Sequence, residues 1–111
     1  MIAVSIKPLS VNDAWQGRRF KSPAYLTYER DLGFLLPRGI PMTKGRVELR
    51  YRFYIKNDKL ADADNMVKPL QDVLVKHGYI EDDRFIYRFS VEKFHAEVPR
   101  IEVEILPYTT P

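Results

Sequence analysis

Residues 46–56 read Arg-Val-Glu-Leu-Arg-Tyr-Arg-Phe-Tyr-Ile-Lys, and this stretch decides the fold. Apolar side chains alternate with polar or charged ones, which predicts a β-strand with one buried face. Cations on the other face could follow a phosphate backbone. The same pattern suits a solvated sheet face, or arginine stems lying under a helix. The apolar face is Val47, Leu49, Tyr51, Phe53 and Ile55, and the cations are Arg46, Arg50, Arg52 and Lys56.

One helix is predicted before this strand in the sequence and one after it. Ser22-Pro23 opens the first, because serine caps helix N-termini and proline is tolerated at the first helical position. The second runs from about 65 to 77 and ends at Gly78, a natural C′ residue. Pro69 removes a backbone donor, so this helix is either kinked or begins later. The predicted apolar faces are Tyr25, Tyr28, Leu32, Leu35 and Leu36, then Met66, Leu70, Val73, Leu74 and His77.

Three further strands are predicted from alternating apolar residues, at 2–6, 85–94 and 100–105. The last two are interpreted as a hairpin that turns at 95–99. Residues 8–21 are predicted to be a long loop. The order is then strand, helix, strand, helix, strand, strand. We therefore expect an α/β or α+β fold, a single domain over residues 1–111 with two main helices on a mixed four-stranded sheet.

The charge is unevenly distributed along the chain. Residues 1–56 hold 11 Lys and Arg against 4 Asp and Glu, whereas residues 57–111 hold 7 against 11. A basic half is typical of proteins that bind a polyanion, and nucleic acid is the usual one. Plain solvation explains the basic half equally well.

The chain has no cysteine, which excludes a disulfide framework, a thiolate metal site and a cysteine nucleophile. The N-terminus lacks the apolar run of a signal peptide, and no stretch approaches the roughly 20 apolar residues of a membrane span. These features predict a cytoplasmic protein that has no membrane partner.

Two acidic stretches flank the second helix. Asp62 and Asp64 precede it, and residues 81–83, Glu-Asp-Asp, follow it. If the chain returns antiparallel along the helix, Asp83 can arrive beside the first two aspartates. Three carboxylates that meet in one place repel each other, so one takes up a proton or a cation lies among them. The alternative interpretation of Asp64 is a helix N-cap with no other role.

Oxygen ligands without cysteine or a nearby histidine favour a hard ion, Mg²⁺ or Mn²⁺. Such an ion can polarise a phosphodiester and activate water. A calcium-binding EF-hand loop is excluded, because the required glycine and glutamate positions are Val67 and Val73. Lys68 lies four residues after Asp64, and this spacing by itself favours an ordinary helix ion pair. Neither His77 nor His95 has a spacing that indicates catalysis.

Several residue types recur at fixed spacings along most of the chain. They are Pro8-x-x-x-Asn12-x-x-Trp15, then Asp62-x-Asp64-Asn65-x-x-Lys68, then His77-Gly78-x-x-x-Asp82-Asp83-x-x-Ile86. This combination resembles the RusA-like endonucleases, the Holliday junction resolvases. The 19 residues from Asp64 to Asp83 are also similar to the family's separation. The chain has Leu60-Ala61 where relatives often carry basic residues, so its substrate preference could differ.

The resemblance implies that Asp62, Asp64 and Asp83 are metal-binding catalytic aspartates and that Lys68 is the catalytic lysine. Asn65 and Asp82 match motif positions whose roles the resemblance leaves open. It further implies a Mg²⁺-dependent homodimer that cuts four-way DNA junctions with paired symmetric nicks. Recombination and repair are the processes in which such junctions are resolved. The candidate DNA contacts are then Arg18, Arg19, Lys21, Arg50, Arg52 and Lys68.

A second hypothesis comes from another class of protein. The chain could be a non-catalytic DNA-binding or assembly protein whose acidic residues serve as helix caps. A symmetric dimer suits the nuclease hypothesis, because a four-way junction has two-fold symmetry and each chain carries one acidic cluster.

Overall fold

A computed structural model describes residues 1–17, 20–57 and 62–109. The helices are α1 (Val11–Ala14), α2 (Pro23–Leu35) and α3 (Val67–Lys76). The strands are β1 (Ile2–Val4), β2 (Trp15–Gln16), β3 (Phe20–Lys21), β4 (Val47–Ile55), β5 (Ile86–His95) and β6 (Arg100–Pro107). Two 3₁₀ turns flank α3: the first turn is Ala63–Met66 and the second turn is Asp83–Phe85. Among the described residues, no helix has the length and apolar character needed to cross a membrane.

The main sheet is mixed and has four strands in the order β1-β6-β4-β5, which confirms the predicted fold class. β4 pairs parallel with β5 and antiparallel with β6. The predicted hairpin of the last two strands is therefore wrong. The α3 crossover returns β5 parallel to β4, and β6 then pairs with the other side of β4, so β5 stays at the edge of the sheet. Alternation along a strand shows which face is buried but not which strand lies beside it.

The core lies between one face of the sheet and helices α2 and α3. All five apolar side chains of β4 are at most 4% exposed, as predicted from the stretch at 46–56. Tyr28 and Leu32 of α2 and Leu70 and Leu74 of α3 pack against them. Two residues of the predicted apolar faces are instead exposed, Leu35 at the end of α2 and His77 at the end of α3.

Residues 8–21 are more regular than the predicted loop. The Ser10 hydroxyl accepts a hydrogen bond from the backbone N–H of Asn12 and caps the short helix α1. Strands β2 and β3 then pair as a small antiparallel ribbon. The prediction failed here because elements of two to four residues are too short to show a period.

Helix α3 has well-defined ends that explain Pro69. The α-helical part begins at Val67, so Pro69 lies in its first turn. Backbone N–H groups there have no partner within the α-helix, so the missing N–H of proline costs it no hydrogen bond. At the other end Gly78 has φ +78°. The N–H of Tyr79 bonds to Leu74 at 3.0 Å and that of Gly78 to Val75 at 3.1 Å, a Schellman motif. The motif turns the chain back along the helix.

Candidate active site at the N-terminal end of helix α3

The second acidic stretch reaches the N-terminal end of α3, the end that the first acidic stretch precedes. The Lys68 ammonium in the first turn of the helix donates to Asp83 Oδ2 at 2.9 Å, across 15 residues of sequence. The first turn, which contains Asp64, adjoins α3, and the second turn, which contains Asp83, also packs against α3. The predicted return of the chain along the helix is therefore confirmed.

Lys68 is held between two carboxylates. Its ammonium is 2.8 Å from Asp72 Oδ1 and 2.9 Å from Asp83 Oδ2. These contacts, the bond to Asp72 foremost, raise the pKa of Lys68, so it stays a cation. The spacing alone had suggested Asp64 as the ion-pair partner of Lys68, but the partner within the helix is Asp72. Asp64 precedes the α-helix, so the geometry that brings residues four apart together on an α-helix does not apply to it.

Asp72 is a residue that the sequence analysis missed. Its second oxygen accepts a hydrogen bond from the Tyr25 hydroxyl at 3.2 Å, which ties α3 to α2. Burial first, and then the Asp72 carboxylate, raise the pKa of Tyr25, so the phenol remains a donor. The position four residues after Lys68 is a signal from which Asp72 could have been identified.

Asp62 and Asp64 are exposed and cap no helix. Asp62 occupies the N-cap position of the first turn, but its side chain makes no capping hydrogen bond. Asp64 lies inside that turn, so its predicted role as an N-cap is wrong. Neither carboxylate forms a hydrogen bond or ion pair with another residue in the described part of the chain. Helix capping therefore does not explain why acidic residues stand at positions 62 and 64.

The second turn orders the other pair of carboxylates. Asp82 caps it, and its Oδ1 accepts from the backbone N–H of Arg84 at 3.2 Å. Asp83 follows directly, at the start of the turn. The Lys68 ammonium first, and then a hydrogen bond with the Asp82 side chain, hold the pKa of Asp83 below its usual range. Asp83 is thus kept ionised beside α3.

Asn65 contributes through its backbone. Its N–H donates to the Asp62 carbonyl oxygen at 3.1 Å, which closes the first turn and sets the spacing of Asp62 and Asp64. The side chain of Asn65 is half-buried.

The donor chemistry of this region suits a hard divalent ion. Asp62, Asp64 and Asp83 supply only oxygen atoms, and Asp83 already holds a cation, the Lys68 ammonium. Within residues 1–17, 20–57 and 62–109, no three His, Asp or Glu side chains form a ready metal-ligating group. In the present arrangement Lys68 binds Oδ2 of Asp83, one of the three predicted ligands.

The predicted basic contacts lie in two regions. Arg18 and Arg19 fall outside the described residues. Lys21 lies on β3, where its ammonium pairs with Glu29 at 2.8 Å and is 5.0 Å from the centre of the Tyr25 ring. Glu29 also binds Lys76 at 2.9 Å.

Arg50 and Arg52 lie on the open face of the sheet, the face turned away from α2 and α3. Arg52 is 3.0 Å from Glu104 and 4.0 Å from both Glu92 and Glu102. Arg50 pairs with Glu48 at 3.3 Å. Within the described strands this face carries equal numbers of arginines and glutamates, so it has no excess positive charge. The arginines are Arg50, Arg52, Arg88 and Arg100, and the glutamates are Glu48, Glu92, Glu102 and Glu104.

Comparison with known proteins found a similar sequence and a matching family model. The chain is 31% identical over 70 residues to the uncharacterized protein YqaN of Bacillus subtilis (strain 168). The match covers 63% of this chain and 49% of that protein, so it spans about half of the relative's length. The family model for endodeoxyribonuclease RusA matches residues 8–106, which include both acidic stretches and Lys68. The chain therefore belongs to the endodeoxyribonuclease RusA family.

Proposed function

We propose that this protein is a Mg²⁺-dependent endodeoxyribonuclease that resolves four-way DNA junctions by paired symmetric hydrolysis of phosphodiesters. The observation that carries the proposal is the Lys68–Asp83 contact, which holds Asp83 at the N-terminal end of α3, the end that Asp64 and the first turn precede. Family membership supports the endonuclease class. Recombination and repair in the cytoplasm of a bacterial or phage-infected cell are the proposed setting, with residues 1–111 acting as one domain.

Asp62, Asp64 and Asp83 are the proposed magnesium ligands, and Mn²⁺ is a possible substitute. When bound, the ion supplies Lewis-acid polarisation of the phosphate and a more acidic water. Two of these carboxylates have no competing bond with another described residue, which favours their use as ligands. Asn65 and Asp82 are proposed to position them, Asn65 by closing the first turn and Asp82 by capping the second.

Lys68 is proposed to place its ammonium at the scissile phosphate. It is 52% exposed, so an incoming phosphate can reach it. Its contacts with Asp72 and Asp83 fix the position of the charge before DNA arrives. A preplaced cation stabilises the charge that develops on phosphate oxygens without reorganisation during the reaction.

DNA contacts at Arg18, Arg19, Lys21, Arg50, Arg52 and Lys68 stay predictions. Phosphate binding depends on cations that release counterions when DNA binds. Because three glutamates already surround Arg52, we expect a smaller contribution from Arg52 than from Lys21, which shares one glutamate with Lys76. Branched DNA is the proposed partner. A homodimer is the proposed assembly, because two equivalent cuts require two equivalent sites.

The test is cleavage of a synthetic four-way junction with and without Mg²⁺. We expect paired nicks that Asp64→Asn abolishes while junction binding in a gel-shift assay persists. Asp31→Asn is the matched control, since Asp31 is a half-buried aspartate on α2 that pairs with Arg30, far along the sequence from both acidic stretches. Tight junction binding without nicks in Mg²⁺ or Mn²⁺ would refute the nuclease and favour a non-catalytic DNA-binding protein.

A further inference from the structure

The sheet has one long edge. β5 forms it with ten residues, whereas the opposite edge is the three-residue strand β1. Among the described strands, β5 pairs with β4 alone. An edge strand turns alternate backbone N–H and C=O groups outward, where they can pair with another strand. Proteins protect such edges with proline, charges, bulges or covering elements, or by making them short. β5 is long and contains no proline, its bulge lies at its first residues, and the first turn also contacts it.

Apolar side chains are exposed along this edge. Tyr87 and Phe89 are each 53% exposed, and Phe94 is 37% exposed. Phe89 contacts Tyr51 of β4 edge to face, with 6.2 Å between ring centres. A long edge strand with exposed aromatic residues is typical of a strand that pairs with another chain.

The charges along β5 select the partner. Arg88, Ser90 and Glu92 lie on the open face of the sheet, because their neighbours in β4 are Glu48, Arg50 and Arg52. Arg88 is 3.8 Å from Glu48 and Glu92 is 4.0 Å from Arg52, both long contacts. Arg88 and Glu92 are also 48% and 62% exposed, which leaves them able to bind further groups.

We propose that the partner is a second copy of this chain, with β5 paired antiparallel to β5 about a two-fold axis at Ser90. In this register Arg88 of each copy lies opposite Glu92 of the other, and Phe89 lies opposite Val91. Opposite charges and apolar pairs at directly opposed positions stabilise antiparallel sheets. The interface deepens the proposed function, on whose homodimer it rests, because it names the surface that joins the two copies.

Neighbouring registers are less favourable. An axis at Arg88 or at Glu92 places like charges directly opposite each other, which destabilises the pairing. An axis at Phe89 or at Val91 leaves Arg88 and Glu92 without an opposite charge across the joint. Ser90, a small side chain, can lie at the crowded centre without obstruction.

Charge reversal tests the surface by sedimentation velocity over a range of protein concentrations. We expect Arg88→Glu and Glu92→Arg each to weaken dimerisation by about tenfold or more, because each places two like-charged pairs across the joint. The double variant Arg88→Glu/Glu92→Arg should restore the dimer. Arg30→Glu on the outer face of α2 is the control, with the same charge change at a residue whose side chain is 75% exposed. Circular dichroism checks that each variant folds.

Cross-linking tests the register, since the chain has no cysteine of its own. Ser90→Cys should form a disulfide-linked dimer on oxidation, because the two sulfurs face each other at the axis. Glu92→Cys should not, because its two copies lie about 13 Å apart along the strands.

The results separate the interface from the enzymatic function. Three outcomes would each overturn the β5 interface. They are dimerisation that both single charge reversals leave unchanged, a folded double variant that stays monomeric, and loss of the dimer in Arg30→Glu. Cross-linking through residue 92 instead of residue 90 would also overturn it. Mg²⁺-dependent nicking of junctions would survive any of these outcomes, whereas a β5 dimer without nicking would overturn the proposed nuclease alone.

Discussion

Replacing Lys68 by alanine separates a catalytic lysine from a structural one. The side chain is 52% exposed and makes ion pairs at 2.8 and 2.9 Å. Exposed ion pairs contribute roughly 0.2–1 kcal/mol each, so the variant should lose about 1 kcal/mol of unfolding free energy and a few degrees of Tm. A domain of ordinary stability, about 5–15 kcal/mol, remains folded after that loss. Removing a preplaced charge from the reacting phosphate should slow cleavage by about 10²–10³-fold.

The assay is single-turnover cleavage of a four-way junction at saturating protein, together with thermal unfolding. Lys76→Ala is the matched control, because Lys76 also lies on α3, is 58% exposed and pairs with Glu29 at 2.9 Å. It should lose similar stability and cut at the wild-type rate. Undiminished cleavage by Lys68→Ala, or an equal loss in both variants, would show that Lys68 only anchors Asp83 to α3.

Three further predictions concern single side chains. The Tyr28 hydroxyl is buried without a hydrogen-bond partner in the described part of the chain, so Tyr28→Phe should leave the free energy of unfolding unchanged or raise it by up to about 1 kcal/mol. A clear loss of Tm would reveal a partner. Hydrogen bonds from Lys21 first, and then from Lys76, hold the pKa of Glu29 below its ordinary value. A lowered folded-state pKa gives stability that is present above the unfolded pKa and is lost as pH falls through the folded one. The stability difference between the wild type and Glu29→Gln should therefore be constant near neutral pH and vanish in acid, as followed by denaturant titration. A difference independent of pH would contradict the ion pairs. For DNA binding, Lys21→Gln should reduce the slope of log affinity against log salt by about 1, and Arg52→Gln by less. Equal slopes for both variants would show that the glutamates on the open face do not offset Arg52.

Local patterns in the sequence were sufficient for the buried face of β4, for Ser22 as the cap of α2, and for Gly78 as the end of α3. Each depends on neighbouring residues alone. The resemblance to RusA-like endonucleases also came from the sequence, since motif spacing needs no coordinates, and the family match confirmed it.

Contacts between distant segments were decided by the tertiary structure. Which strand lies beside β4 depends on the crossover through α3, so alternation could not prevent the wrong hairpin prediction. The partner of Lys68 depends on where the α-helix begins. Asp64 lies in the 3₁₀ turn before the α-helix, whereas Asp72 lies in the α-helix four residues after Lys68 and can pair with it. By itself the sequence determined where most helices and strands lie and which acidic and basic side chains they carry, because periodicity and capping depend on neighbouring residues. Only the folded chain decided that Asp83 reaches Lys68 and that β5 is an edge, because both follow from packing between residues far apart in sequence.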